Sequence, residues 1–194
     1  MRLRLGVLGS GKGSNFRAIM GAIKEGWLKA EVRVVISDVE DAGILKLARD
    51  FDVPSCYVPP GRFRTKLEPE IEFKIVRILQ DAEVELVILA GFMRVLKEVM
   101  LNAFAGHIIN IHPSLLPKFP GLEAWAQALK ASEQVTGCTV HYVDAGVDTG
   151  KILAQQSVPI LSNDTPERLH ARIQIAEHAL LPSVIAAIAA ERSS

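Results

Sequence analysis

Five short apolar runs, at residues 3–8, 32–36, 53–58, 84–90 and 107–111, alternate with stretches of helical periodicity at 15–24, 42–51 and 67–79. Parallel strands need long, right-handed crossovers, usually helical. The alternation therefore predicts an α/β fold with a mostly parallel sheet covered by helices on both faces. The run Val84-Glu85-Leu86-Val87-Ile88-Leu89-Ala90 is nearly all apolar, as a central strand buried on two sides requires.

The second half is richer in β structure. Runs 139–143 and 152–159 lie close together, joined by Asp144-Ala145-Gly146-Val147-Asp148-Thr149-Gly150, whose density of Asp and Gly marks a loop. Thr165-Pro166-Glu167 opens a last helix with Pro at its first position. Leu169, Ile173, Ala176, Leu180 and Val184 recur at helical spacing, and Pro182 is expected to kink this helix or end its first part.

A chain of 194 residues with 49% hydrophobic and 23% charged composition can bury a substantial core, and nothing divides it, so the reading is one domain over 1–194. Twenty-two basic residues balance 22 acidic ones. No electrostatic footprint favours nucleic acid or a membrane surface, so an anionic substrate has to be held locally. Cys56 and Cys138 stand far apart without a CxxC pattern, which fits free thiols in a reducing cytoplasm and no metal site. The start of the chain does not resemble a signal peptide, and the apolar stretch 184–190 is too short to cross a bilayer.

The stretch Ile108-Ile109-Asn110-Ile111-His112-Pro113 carries the clearest chemical signal. Residues i and i+2 of a strand share a face, so Asn110 and His112 present an amide and an imidazole side by side. Pro113 stops the strand there, where open α/β sheets bind ligands. A hydrogen-bond donor beside a proton-transfer group suits a carbonyl whose oxygen gains charge.

After the first strand, Gly9-Ser10-Gly11-Lys12-Gly13-Ser14-Asn15 leads into a helix. Such a turn exposes backbone N–H groups and the positive end of a helix dipole. It is neither of two better-known motifs. Gly13 stands where a P-loop needs Ser or Thr, and Ser14 stands where GxGxxG needs its third glycine. No acid ends the second strand cleanly, since Ser37 precedes Asp38. A monophosphate site is the reading, with Ser14 and Asn15 capping the helix and adding donors. Asp148 alone reads as a turn residue. Its functional case rests on His112 needing a carboxylate partner to raise its pKa. His141, mid-strand with no breaker nearby, reads as structural.

The segments GSGKGSN (9–15), AGFMRVL (90–96), NIHPSLLPKFPG (110–121) and GCTVHYVDAGVDTG (137–150), together with the stretch from Gln174 to Glu177, occur in an order and spacing that resemble the phosphoribosylglycinamide formyltransferase family of purine synthesis. The resemblance spans almost the whole chain. It implies a Rossmann-like formyltransferase fold, with 1–105 as the ribotide phosphate-binding half and 106–194 as the catalytic and folate-binding half. It also implies formyl transfer from 10-formyltetrahydrofolate to the ribotide amine without a metal, and a cytoplasmic monomer or homodimer acting on small molecules.

Matched by position, His112 is the implied proton donor, Asn110 the oxyanion stabiliser and a folate contact, and Asp148 the acid that raises the histidine's pKa. Gly13, Ser14 and Asn15 are implied to hold the phosphate, with Gln174 and Glu177 at the ribotide's sugar. Met93, Arg94, Val95 and Leu96 are the implied folate segment. Lys66 is the implied basic folate contact, with Arg64 as its rival. Glu123 stands where many relatives have His, and Lys12 where Asn is commoner. Two rivals within formyl chemistry are a methionyl-tRNA formyltransferase, expected to carry a further C-terminal domain, and a 10-formyltetrahydrofolate hydrolase, expected to carry a regulatory one. A non-catalytic nucleotide-binding module would leave Asn110 and His112 unexplained.

Overall fold

The computed structural model describes residues 2–192. Strands β1 (Leu3–Leu8), β2 (Ala30–Ser37), β3 (Ser55–Tyr57), β4 (Leu86–Leu89) and β5 (Ile108–His112) alternate with helices α1 (Ser14–Lys24), α2 (Gly43–Asp50), α3 (Pro69–Asp81) and α4 (Glu98–Ala103). Helix α5 (Ala124–Lys130), strands β6 (Val135–Tyr142) and β7 (Ile152–Pro159), and helix α6 (Pro166–Glu191) complete the chain. One seven-stranded sheet results, ordered β3-β2-β1-β4-β5-β6-β7. Its first five strands pair in parallel, whereas β6 and β7 join antiparallel. The α/β architecture thus follows the alternation of the sequence.

The side-chain alternation of β1 builds two cores. Leu3, Leu5 and Val7 pack with Phe16 and Ile19 of α1 and with Leu169, Ile173 and Leu181 of α6. Leu8 joins Ile75 and Leu79 of α3 and Met100 of α4 on the opposite face. Gly6 points to that second face, and a Cβ on it would lie 2.4 Å from a Leu79 methyl. The glycine is there so that the helix can approach closely.

Three expectations are corrected. Helices α4 and α5 stand where the sequence pattern predicts none, because they carry too few turns to show a periodicity. Strand β6 starts at Val135, not at 139, because its first residues pair with the end of β7. Helix α6 runs unbroken through Pro182 to Glu191. Proline lacks one N–H, but Leu181 and Ile185 beside it are fully buried, each contributing about 2 kcal/mol, which outweighs one missing bond. By length and composition alone, α6 could cross a membrane, with a mean hydropathy of 1.6. Its apolar residues are instead those that close the first core.

Register sets up the site. Leu8 pairs with Leu89, and Leu89 with Asn110. Adjacent strands lie about 4.8 Å apart, so the glycine turn after β1, the segment after β4 and the Asn110–His112 pair share one edge about 10 Å wide. The chain reverses its strand order between β1 and β4, which is where ligands bind in such sheets.

Candidate active site

Asn110, His112 and Asp148 converge. The His112 Nδ1 lies 3.3 Å from Asp148 Oδ2, and Asn110 Nδ2 donates to Asp148 Oδ1 at 3.4 Å. Asp148 comes from the loop between β6 and β7 and adopts a left-handed φ of 55°. The Gly121 N–H donates to its Oδ2 at 2.8 Å, so the loop after β5 clasps the carboxylate that faces β5. Asp144 holds the other side of this turn, accepting from the Gly146 N–H at 3.0 Å and from the Thr149 hydroxyl at 2.7 Å.

His141 belongs to this cluster, contrary to its structural reading. Antiparallel pairing sets it directly opposite Asn110, and cross-strand partners share a face. Its Nε2 lies 3.2 Å from Asn110 Nδ2 and 3.6 Å from Asp148 Oδ1, while Nδ1 lies 2.8 Å from the Tyr142 carbonyl. No local sequence signal marks it, because its place depends on which strand β6 joins and in what register.

The electrostatics differ from expectation. Burial pushes the His112 pKa below its usual value and outweighs the opposing Asp148 charge and Phe119 carbonyl. The carboxylate orients the ring but does not raise its pKa overall. The two ring nitrogens are both engaged, Nδ1 facing the Asp148 carboxylate and Nε2 lying 2.9 Å from the Phe119 carbonyl. Burial also pushes the Asp148 carboxyl up. Hydrogen bonds from His141 and Gly121, with the charges of His112 and His141, reverse this and hold it below the ordinary range.

In the glycine turn, Gly13 caps α1 with a φ of 81°, and its Cβ position would sit 2.9 Å from the Ile44 backbone. The first bond inside the helix runs from the Arg17 N–H to the Gly13 carbonyl, which leaves the N–H groups of Ser14, Asn15 and Phe16 at the open end. Neither Ser14 nor Asn15 caps the helix by its side chain, contrary to expectation. Asn15 turns inward, where its Nδ2 donates to Glu177 Oε2 at 3.0 Å. Burial pushes the Glu177 carboxyl up to about 7 against that bond. Gln174, one turn earlier on α6, lies with its Nε2 3.4 Å from His170 Nε2, and His170 stacks on Trp125 with ring centroids 3.7 Å apart. Lys12 is exposed, as is Glu123, which stands at the N-cap of α5.

The segment after β4 meets the loop after β3. Lys66 and Val95 form a β-bridge, and the Val95 N–H donates to the Thr65 carbonyl at 2.8 Å. The Lys66 ammonium sits 4.4 Å from the centre of the Phe63 ring. Met93 is half exposed and Leu96 is buried. The Arg94 guanidinium is committed to Asp38 and to the carbonyls of Phe63 and Arg64.

A formyl transferase family model matches residues 3–185. The phosphoribosylglycinamide formyltransferase of Bacillus subtilis is 43% identical over 182 residues, 94% of this chain and 92% of that protein. The chain belongs to the phosphoribosylglycinamide formyltransferase family. Glycinamide ribonucleotide transformylase 1 from Symbiobacterium toebii, a solved structure, matches this formyltransferase with a TM-score of 0.94 and 45% identity, covering 98% of this chain and 89% of that one. The trifunctional purine biosynthetic protein adenosine-3 of Drosophila pseudoobscura pseudoobscura is 46% identical over 97% of this chain, which spans only 14% of that longer protein. The single sheet and its helices are therefore the fold of solved formyltransferases.

Proposed function

We propose that this enzyme transfers the formyl group of 10-formyltetrahydrofolate to the amine of N1-(5-phospho-D-ribosyl)glycinamide, as a soluble cytoplasmic step of purine synthesis. The convergence of Asn110, His112 and Asp148 beside the glycine turn carries this reading. The ribotide phosphate sits at the N–H groups of Gly13, Ser14 and Asn15, with Gln174 and Glu177 at the sugar. The folate lies along Met93–Leu96, with Lys66 at its acidic end.

The ribotide amine nitrogen attacks the formyl carbon, and the carbonyl electron pair moves to oxygen. The Asn110 amide has two hydrogens, with Nδ2 3.4 Å from Asp148 Oδ1 and 3.2 Å from His141 Nε2, and one of them turns to the oxyanion. Preorganised donors of this kind are worth about 3 kcal/mol in a water-poor site. His112, held in orientation by Asp148, relays the proton that leaves the amine to the departing folate nitrogen, and the carbon–nitrogen bond to folate breaks. The products are the N-formyl ribotide and tetrahydrofolate. For His112 to reach substrate, one of its two present contacts gives way.

An absorbance assay of folate turnover, run with and without ribotide, tests the proposal. Ribotide-dependent turnover is the expected result. Turnover with water alone would point to a hydrolase, and no turnover would overturn the reading.

A further inference from the structure

Asp38 follows β2 directly, and its side chain is only 2% exposed. One carboxylate oxygen accepts from the Ser10 hydroxyl at 2.5 Å, and the other accepts from Arg94 Nε at 2.6 Å. The Ser10 oxygen in turn accepts from the Met93 N–H at 2.9 Å. Arg94 continues the chain by donating to the carbonyls of Phe63 and Arg64. These bonds tie together the loops that leave the carboxyl ends of β1, β2, β3 and β4.

We propose that Asp38 is a positioning residue that, with Ser10 and Arg94, sets the distance between the glycine turn and the 93–96 segment. The inference rests on the reading above, in which the first holds the ribotide and the second holds the folate. Three features support it. The Ser10 hydroxyl has one proton, given to Asp38, and so meets the Met93 N–H as an acceptor; the bridge between the two loops has a single sense. The charge that takes this proton is buried and paired, hence costly to displace once formed. Arg94 is spent on the same carboxylate and on the loop carrying Lys66, so one buried group aligns the 63–66 and 93–96 segments with the glycine turn. A displacement of about 1 Å between two bound reactants can cost about a hundredfold in rate even when each still binds.

An ordinary structural ion pair would change stability and leave chemistry alone, which separates the two roles. Asp38→Ala, Ser10→Ala and the double variant would be compared with wild type for kcat, for the ribotide dissociation constant without folate, and for thermal midpoint. Expected is a fall in kcat of at least tenfold in Asp38→Ala, with ribotide binding within threefold. Ser10→Ala should show a smaller fall, and the double variant should be no worse than Asp38→Ala because both act through one link. Asp38→Asn keeps an acceptor for Ser10 and should recover part of the loss. A folded Asp38→Ala with kcat within twofold of wild type would overturn the proposal, as would losses that multiply in the double variant. If Asp38→Ala does not fold, Ser10→Ala decides alone, since it removes the bridge and leaves the ion pair; unchanged kcat then overturns the proposal. Lack of ribotide-dependent turnover in the wild type would instead strike at the function itself.

Discussion

The side-chain amide of Asn15 and the carboxylate of Glu177, 162 residues apart in the chain, meet at 3.0 Å at the buried end of the glycine turn. The first residue lies in the first turn of α1 and the second on α6. Helix α6 therefore does more than close a core, because it delivers an acid to the mouth of α1.

That acid titrates in a range that matters. Its folded pKa is raised to about 7 from 4.5, chiefly by burial. Below 4.5 both folded and unfolded chains hold the proton, and the stability from keeping the neutral acid buried is fully present. As pH rises toward 7 the unfolded chain ionises first, and that stability is lost. A shift of this size corresponds to roughly 3 kcal/mol. Glu177→Gln cannot ionise, so its thermal midpoint relative to wild type should rise between pH 5 and pH 8. Equal differences at the two pH values would refute the burial argument. The same variant should raise the KM for ribotide.

His112→Ala should lower kcat by about 10²- to 10⁴-fold while ribotide binding, measured by calorimetry, stays near wild type. Near-normal turnover would remove His112 from the chemistry. Asp148→Asn takes away a charge that raises the His112 pKa against burial. The titration assigned to His112 should therefore move to lower pH in the pH–rate profile. A profile that stays in place would separate the two residues.

His141 Nε2 lies 3.2 Å from the Asn110 amide nitrogen, and its Nδ1, 2.8 Å from the Tyr142 carbonyl, fixes the ring against that amide. His141→Ala should leave that amide poorly aimed and lower kcat about tenfold, equivalent to about 1.4 kcal/mol. An unchanged kcat would return His141 to a packing role.

Gly13→Ala forces a left-handed backbone on a residue with a Cβ, costing about 1–2 kcal/mol, and pushes that atom against Ile44. The thermal midpoint should fall, and the KM for ribotide should rise about tenfold with a smaller effect on the folate KM. If both KM values rose equally, the turn would not be specific to one substrate.

Much of this was readable from local pattern. Strand β1 appears where its apolar run stands, and His112-Pro113 ends β5 at the edge where the site forms. Helices α4 and α5 escaped because a helix of one or two turns leaves too few positions for a period to show. Asp148 does push the His112 pKa up, but the net direction is not legible in the sequence for another reason. A neighbouring carboxylate can be guessed from residue types, but the burial that outweighs it exists only once α/β packing has sealed the ring.

Residue order alone was enough to dictate strands, crossovers, the glycine turn and the polar pair at the end of β5, because each is decided within a few residues by backbone geometry and apolar period. Folding across the sheet decided the rest. Asn110 meets His141 through strand register, Asn15 meets Glu177 because α6 packs beside α1, and Ser10 meets Asp38 and Arg94 because β1 lies between β2 and β4. Contacts across such separations depend on which elements become neighbours, and the cooperative packing of two cores makes that choice.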